Sequence, residues 1–435
     1  MVVEISSYGF QIGTLYKILQ NFRDQYNEIL MSKHCGAFDE ILSSDSYSPI
    51  VVTNEFQRNT LCDRLPLARK ISPRKAYGDD IREQDFTDDA GDERKYYYPV
   101  QFPFSEFVPA VFEEVKDYVL GCIKFMDNLK MSQTDVEETI RRSTNLLFER
   151  FSGHLKVYLA EKLKASSLVQ LIQITINVGY LEKSYESLED FINALTGSSI
   201  AESHVSKLKQ DMFRDARSEV EERIDEAMCQ KIDEILSVAQ YSWDMPESTG
   251  RASGYITDLI AFLRTTFVSF TNLPPVLARH ICMQACKHLS SQMTSFLLDP
   301  EVKQVSSGVL EQFNLDVMQC ELFTSQCPVV GFEDNTLTMT FAGLRQLIDL
   351  TMSADWSTYL ADFGQERSKY SRVHPLNATC LLEKIFEYEK RKAGVGALLF
   401  SSKTSQKDKD KRKLYETVLK QLKLIASGGG SASQT

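Results

Sequence analysis

Turn-forming residues are scarce in this chain, with 20 glycines and 12 prolines in 435 residues. No repeat of fixed period and no long strand pattern is present, while leucine, glutamate and lysine recur at helical spacing. That combination predicts a mostly helical protein. No apolar run reaches the ~18 residues of a membrane span. Glu4 with Ser6-Ser7 interrupts the start, so no signal peptide is read there. Basic residues are outnumbered, 49 Lys and Arg against 60 Asp and Glu, for a formal charge of −11. This balance argues against general nucleic-acid binding, which needs a basic footprint. Nine cysteines lie scattered without the paired spacing of a disulfide framework. The plain reading is reduced thiols in a cytosolic protein that meets membranes only through partners or its surface. Catalytic signatures are missing as well: no G-x-G-x-x-G, no Walker lysine loop, no G-x-S-x-G elbow, no H-E-x-x-H. Six histidines leave few groups for general acid–base work. Neither an enzyme nor a cofactor is expected.

What is present is helical pattern, broken in one decisive place. At this length two or three domains are expected. The stretch from Tyr241 to Pro275 divides the chain into two helical halves. Before it, a charge-laced helix is expected over 200–240, with Val205, Leu208, Met212, Val220, Ile224, Ile232 and Leu236 facing one way. Met245-Pro246 and Ser248-Thr249-Gly250 then break the pattern, and Ser248 or Thr249 is placed to cap the next helix. That helix carries Ile256, Leu259, Ile260, Leu263, Phe267 and Phe270 at spacings of three and four. Ala252, Tyr255 and Phe262 form a second stripe, so it should be buried on most sides. Pro274-Pro275 ends it and opens the following helix.

Elsewhere one amphipathic helix is predicted over 11–45, reading as the end of a longer rod. Five prolines and a heavily acidic run punctuate residues 45–104, and 68–95 reads as a solvated, disordered loop. Helices resume from Ser105. A second one over 132–164 has Thr134-x-x-Glu137 as a candidate capping box, and shorter helices cover 167–178 and 182–195. In the second half, helices are expected over 275–298, 300–324, 337–351 and 377–392. An amphipathic helix with a lysine-rich start follows over 403–426 (Leu414, Val418, Leu422, Leu424), and then a Gly/Ser tail. The domain reading is 1–66 as an amino-terminal helical segment, 67–103 as the loop, 104–241 and 242–396 as two bundles, and 397–435 as the basic helix and tail.

Several constellations invite chemistry. His280-x-Cys282-x₃-Cys286-x-His288 resembles a metal site on paper. On one straight helix, however, the histidines fall more than ~100° from the cysteine pair, so the four groups cannot converge on a tetrahedral ion. Buried structural thiols are the expectation. Asp79-Asp80-Ile81-Arg82-Glu83 resembles the magnesium-holding run of all-helical isoprenoid synthases. It lacks a second such run and a rigid helix, so a solvated loop is favoured. The basic patch 407–413 could touch anionic lipid, although a solvated helix start accounts for it. In the helix over 300–324, Gln304, Ser307, Glu311, Asn314, Met318, Glu321 and Ser325 line one polar face with a single methionine. Val302, Val305, Val309, Phe313, Val317 and Cys320 form its core face. The polar face reads either as ordinary solvated surface or as a partner-docking face with an apolar centre.

Longer stretches carry a resemblance. GRASGYITDLIAFLRTTF, QFNLDVMQCELF, LRQLIDL, DWSTYLADFGQERSKY, LYETVLKQLK, RDQYNEIL and STNLL are similar to the exocyst component 6, or SEC-fifteen, family. The likeness runs from about Gly13 to Ala426. It implies an all-α fold, an elongated rod of consecutive helical bundles of the tethering-complex type, with two bundles in the carboxyl-terminal half. It implies a non-enzymatic subunit of the complex that tethers secretory vesicles to the plasma membrane. The partners implied are the other exocyst subunits, a GTP-bound Rab GTPase and, indirectly, the membrane. The asparagine of the family's NLD sequence belongs to the Rab-binding surface, and Asn314, followed by Leu315 and Asp316, matches it here. The implied binding set is therefore Asn314, Asp316, Glu311, Met318 and Glu321. The family also carries an upstream coiled coil for assembly that this chain does not contain, and its counterpart of the 68–95 loop is shorter and less acidic.

Overall fold

The computed structural model describes residues 13–75, 97–126, 132–161, 168–197, 208–209, 213–333, 335–365, 367–399 and 406–428. The fold is all-α, built of helical bundles with one small sheet among the described residues. The chain divides into two compact units, Met1–Ile224 and Asp225–Thr435.

In the first unit, α1 (Gly13–Ser44) and α2 (Glu55–Arg64) precede α3 (Phe107–Met126), α4 (Gln133–Glu161), α5 (Leu168–Lys183) and α6 (Tyr185–Thr196). Phe38 of α1 stacks on Phe151 of α4 with centroids 4.3 Å apart, and Phe148 packs on Tyr185 and Phe213. Strands β1 (Val51–Val52) and β2 (Arg74–Lys75) both pair antiparallel with β3 (Val100–Gln101). The expectation of a solvated loop from residue 68 is corrected at its near end. Ala68 is fully buried in a 3₁₀ turn, Pro66–Lys70, and Arg74 and Lys75 belong to the sheet. Backbone pairing to a distant strand overrides the polar composition there. The rest of that loop, with Asp79–Glu83, lies outside the described residues. The capping box is also corrected: Ser132 Oγ, not Thr134, accepts the Asp135 amide at 3.2 Å. Glu137 instead forms a buried ion pair with Arg141, which also reaches Glu189 and Asn193.

Helix α7 runs Arg214–Leu236 and does not extend over 200–240. Leu208 and Lys209 are non-helical, their amides taken by the side chains of Glu189 and Asn145. Its expected core positions Val220, Ile224, Ile232 and Leu236 are buried. The second unit continues with α8 (Gly254–Phe270), α9 (Pro275–Leu298), α10 (Ser307–Ser325), a 3₁₀ turn (Thr338–Phe341), α11 (Ala342–Ser353), α12 (Trp356–Ala361), α13 (Pro375–Leu399) and α14 (Gln406–Gly428). Five of the six residues of the main stripe of α8 are fully buried as its spacing predicts, Ile256, Leu259, Leu263, Phe267 and Phe270, whereas Ile260 is half-buried. The helix is less enclosed than expected, because Thr257, Asp258, Ala261, Arg264 and Thr265 are exposed. Along α14, Tyr415, Val418, Leu419 and Leu422 are buried, whereas Leu414 and Leu424 face outward at 50% and 70% exposure. Lys384 of α13 is buried and donates to the carbonyls of Leu297 (2.6 Å) and Asp299 (2.7 Å), satisfying the end of α9.

Candidate functional site: the α10 face

Helix α10 begins at Ser307, not at Pro300. Ser306 is its N-cap, and its hydroxyl accepts the Val309 amide at 3.2 Å. The residues just before it are kept out of the helix by distant partners: the Val305 amide donates to Lys384 O and the Ser306 amide to Trp243 O. Gln304 therefore lies off the helix.

Three sides of α10 are occupied. Val309, Phe313, Val317 and Cys320 are fully buried in the core. A second row, Gly308, Gln312 and Asp316 at four-residue spacing, grips the segment between α7 and α8. Gln312 Oε1 accepts the amide (3.0 Å) and hydroxyl (2.7 Å) of Thr249, and its Nε2 donates to Arg251 O at 2.8 Å. Asp316 accepts from the Ser253 amide, the Ser253 hydroxyl and Tyr241 Oη, at 2.6, 2.8 and 2.6 Å. Burial, together with the nearby Tyr255 and Asp316, pushes the Tyr241 phenol well above its ordinary value, so it stays protonated as a donor. The cap of α8 is accordingly Ser253, set by Asp316, rather than Ser248 or Thr249.

The third side meets α11 through one arginine. Arg345 Nε and Nη2 donate to the two carboxylate oxygens of Glu321 at 3.0 and 2.7 Å, a bidentate pair. Its Nη1 donates to Asn314 Oδ1. Asn314 and Glu321 are thus half-buried and joined by a single guanidinium. The Nδ2 of Asn314 has no hydrogen-bond partner among the described residues.

The fourth side is open. Glu311 is exposed, and Met318 and Leu322, one turn apart, are each 50% exposed. Of the five residues singled out from the sequence, four border this face. Asp316 does not: it is fully buried, because two residues' rotation from Asn314 carries it about 200° round the helix. Leu322 and Arg345 escaped sequence reasoning. Leu322 was legible as the i+4 neighbour of Met318, whereas Arg345 reaches the face from another helix.

The His280/Cys282/Cys286/His288 group does not converge. Cys282 and Cys286 are fully buried, and burial first of all drives both thiols well above their ordinary range. His280 and His288 pair outward with Asp225 (3.1 Å) and Asp233 (2.7 Å) of α7. Among the described residues no cluster of His, Cys, Asp or Glu could hold a metal ion, and no helix is long and apolar enough to cross a membrane.

The family described as exocyst complex subunit Sec15 C-terminal matches residues 14–384. Exocyst complex component 6 of Caenorhabditis elegans is 45% identical over 427 residues, covering 98% of this chain and 48% of that protein. The Homo sapiens protein of the same name is 42% identical over 425 residues, covering 98% and 49%. The chain thus spans about half the length of these relatives. A solved structure, the crystal structure of the Sec15 C-terminal domain, is 32% identical with a TM-score of 0.53, covering 78% of this chain and all of that one.

Proposed function

The chain belongs to the exocyst subunit Sec15 family, through that family's C-terminal part, and from this premise we propose that it serves as a non-enzymatic subunit of the exocyst. In this role it tethers secretory vesicles to the plasma membrane during exocytosis. It works in the cytoplasm, peripheral to both membranes, and its partners are other exocyst subunits and a GTP-loaded Rab GTPase on the vesicle. The Rab docks on the open face of α10.

One observation carries the docking reading: Met318 and Leu322 form an exposed apolar pair on a helix whose other sides are packed, rimmed by Glu311, Asn314 and Glu321. An apolar centre inside a polar rim is the usual anatomy of a protein interface. Arg345 fixes the carbonyl end of Asn314 and leaves its amide nitrogen free to donate to a partner loop. GTPase switch loops take an ordered shape only with the γ-phosphate in place. A rigid helix face fitted to that shape gains nucleotide selectivity without touching the nucleotide.

The test is a pull-down of a Rab panel, each member loaded with GTP or GDP, using this chain as bait. Retention of at least one Rab in the GTP form alone supports the reading. Retention independent of the nucleotide would make the protein a helical adaptor of another kind.

A further inference from the structure

A cavity of 270 Å³ opens where α9, the Thr338–Phe341 turn, α11 and the start of α13 come together. Lys287, Arg372 and His374 line it, along with four hydroxyls, and no carboxylate does. In a chain with 60 acidic residues against 49 basic ones, that lining is a local reversal of sign. Lys287 and Arg372 are exposed, and neither forms an ion pair among the described residues. Arg372 Nη1 reaches only the Met339 carbonyl, at 3.5 Å.

Ser290 is 7% exposed and lines the cavity, yet its hydroxyl has no hydrogen-bond partner among the described residues. Thr294, one turn on, bonds the Ser290 carbonyl at 2.7 Å, as helical hydroxyls commonly do. The Ser290 hydroxyl itself keeps access to solvent in the cavity, so it is available to pair with a ligand there. The start of α13, a helix of 25 residues, forms the third wall through Asn377, with His374 just ahead of the helix. It presents the positive end of a helix dipole there.

We propose that this cavity binds a phosphorylated small polar group. Lys287 and Arg372 pair with the phosphate oxygens, and Ser290 donates its hydroxyl. Ligand cavities commonly span about 300–1,000 Å³, so this one suits a single phosphate ester or headgroup rather than a larger molecule. A soluble phosphate ester and a phosphoinositide headgroup share that chemistry. The cavity shares no residue with the α10 face, so this inference and the Rab reading stand or fall separately.

The test uses the whole chain with inositol trisphosphate in calorimetry. In parallel, flotation uses phosphatidylcholine vesicles with and without phosphatidylinositol bisphosphate. The expected result is saturable inositol trisphosphate binding that weakens as salt rises. Lys287→Gln combined with Arg372→Gln weakens it about tenfold or more, with the melting temperature unchanged because both side chains are exposed. Ser290→Ala weakens it by a smaller factor and serves as the second variant. Vesicle capture that needs the bisphosphate lipid and is lost in the double variant assigns the ligand to a membrane. Soluble binding without capture assigns it to a free phosphate ester, and both results support the site. Absence of saturable binding to either probe overturns the proposal, as does binding indifferent to both sets of substitutions.

Discussion

Asp316 of α10 accepts both the amide (2.6 Å) and the hydroxyl (2.8 Å) of Ser253, the N-cap residue of α8. A carboxylate on one helix thereby caps another, 63 residues away in sequence. Asp316→Ala leaves the half-buried Ser253 amide and Tyr241 phenol without their acceptor. Bonds to a charged acceptor are worth about 1.5–3 kcal/mol each, so a stability loss of about that size or more is expected in urea unfolding. A loss under about 0.5 kcal/mol, the usual surface range, would show that the cap carries no weight.

Gly308 marks where the same segment lies closest to α10. A Cβ there would sit 2.6 Å from the Met245 carbonyl oxygen, the Pro246 carbonyl carbon and the Glu247 nitrogen. All three are backbone atoms, so relief requires the segment to shift. Gly308→Ala is expected to lower stability by about 1–3 kcal/mol, against the gain of up to about 1 kcal/mol that helix propensity alone would give. Calorimetric melting decides the sign.

Leu263 is fully buried on the main stripe of α8. Leu263→Ala leaves a cavity and should cost about 2–5 kcal/mol in the same unfolding assay.

Tyr359 supplies a pH prediction. It is buried and donates its hydroxyl to Val373 O at 3.0 Å, and burial pushes its pKa from 10.0 up to about 12. A folded-state pKa raised above the unfolded one gives stability that is whole below pH 10. That stability is lost as pH rises from about 10 towards 12, because the unfolded chain releases its proton first. Tyr359→Phe should remove this part of the alkaline limb. Its stability deficit relative to the parent should shrink across that window in urea melts taken at each pH. A deficit constant with pH would mean that Tyr359 does not titrate as its burial implies.

Much of this was legible in local pattern. The stripe of α8, the proline junction before α9, the break near Met245-Pro246 and the core row of α10 all follow from spacing and turn chemistry. What local pattern misses depends on partners far along the chain. Pro300 and Val302 suit a helix start, yet backbone bonds from Val305 and Ser306 to Lys384 and Trp243 hold that stretch off the helix. Thr249 has the chemistry of a cap, yet Gln312 claims it and Asp316 caps through Ser253 instead. Asn314, Glu311, Met318 and Glu321 were readable as one polar face from their spacing. Asp316 was drawn in by sequence adjacency and excluded by helix rotation. The Arg345 brace, 31 residues from Asn314, leaves no trace in the local sequence.

The most direct measurement takes Asn314→Ala and determines two quantities on the same protein, its melting temperature and its affinity for the GTP-loaded Rab that the parent chain retains. Arg345 keeps its bidentate pair with Glu321 when Asn314 is truncated, so the fold should hold. The docking account predicts an affinity loss of about 1–3 kcal/mol with the melting temperature nearly unchanged. A lowered melting temperature with undiminished affinity would contradict it, leaving Asn314 as a brace between α10 and α11 and nothing more.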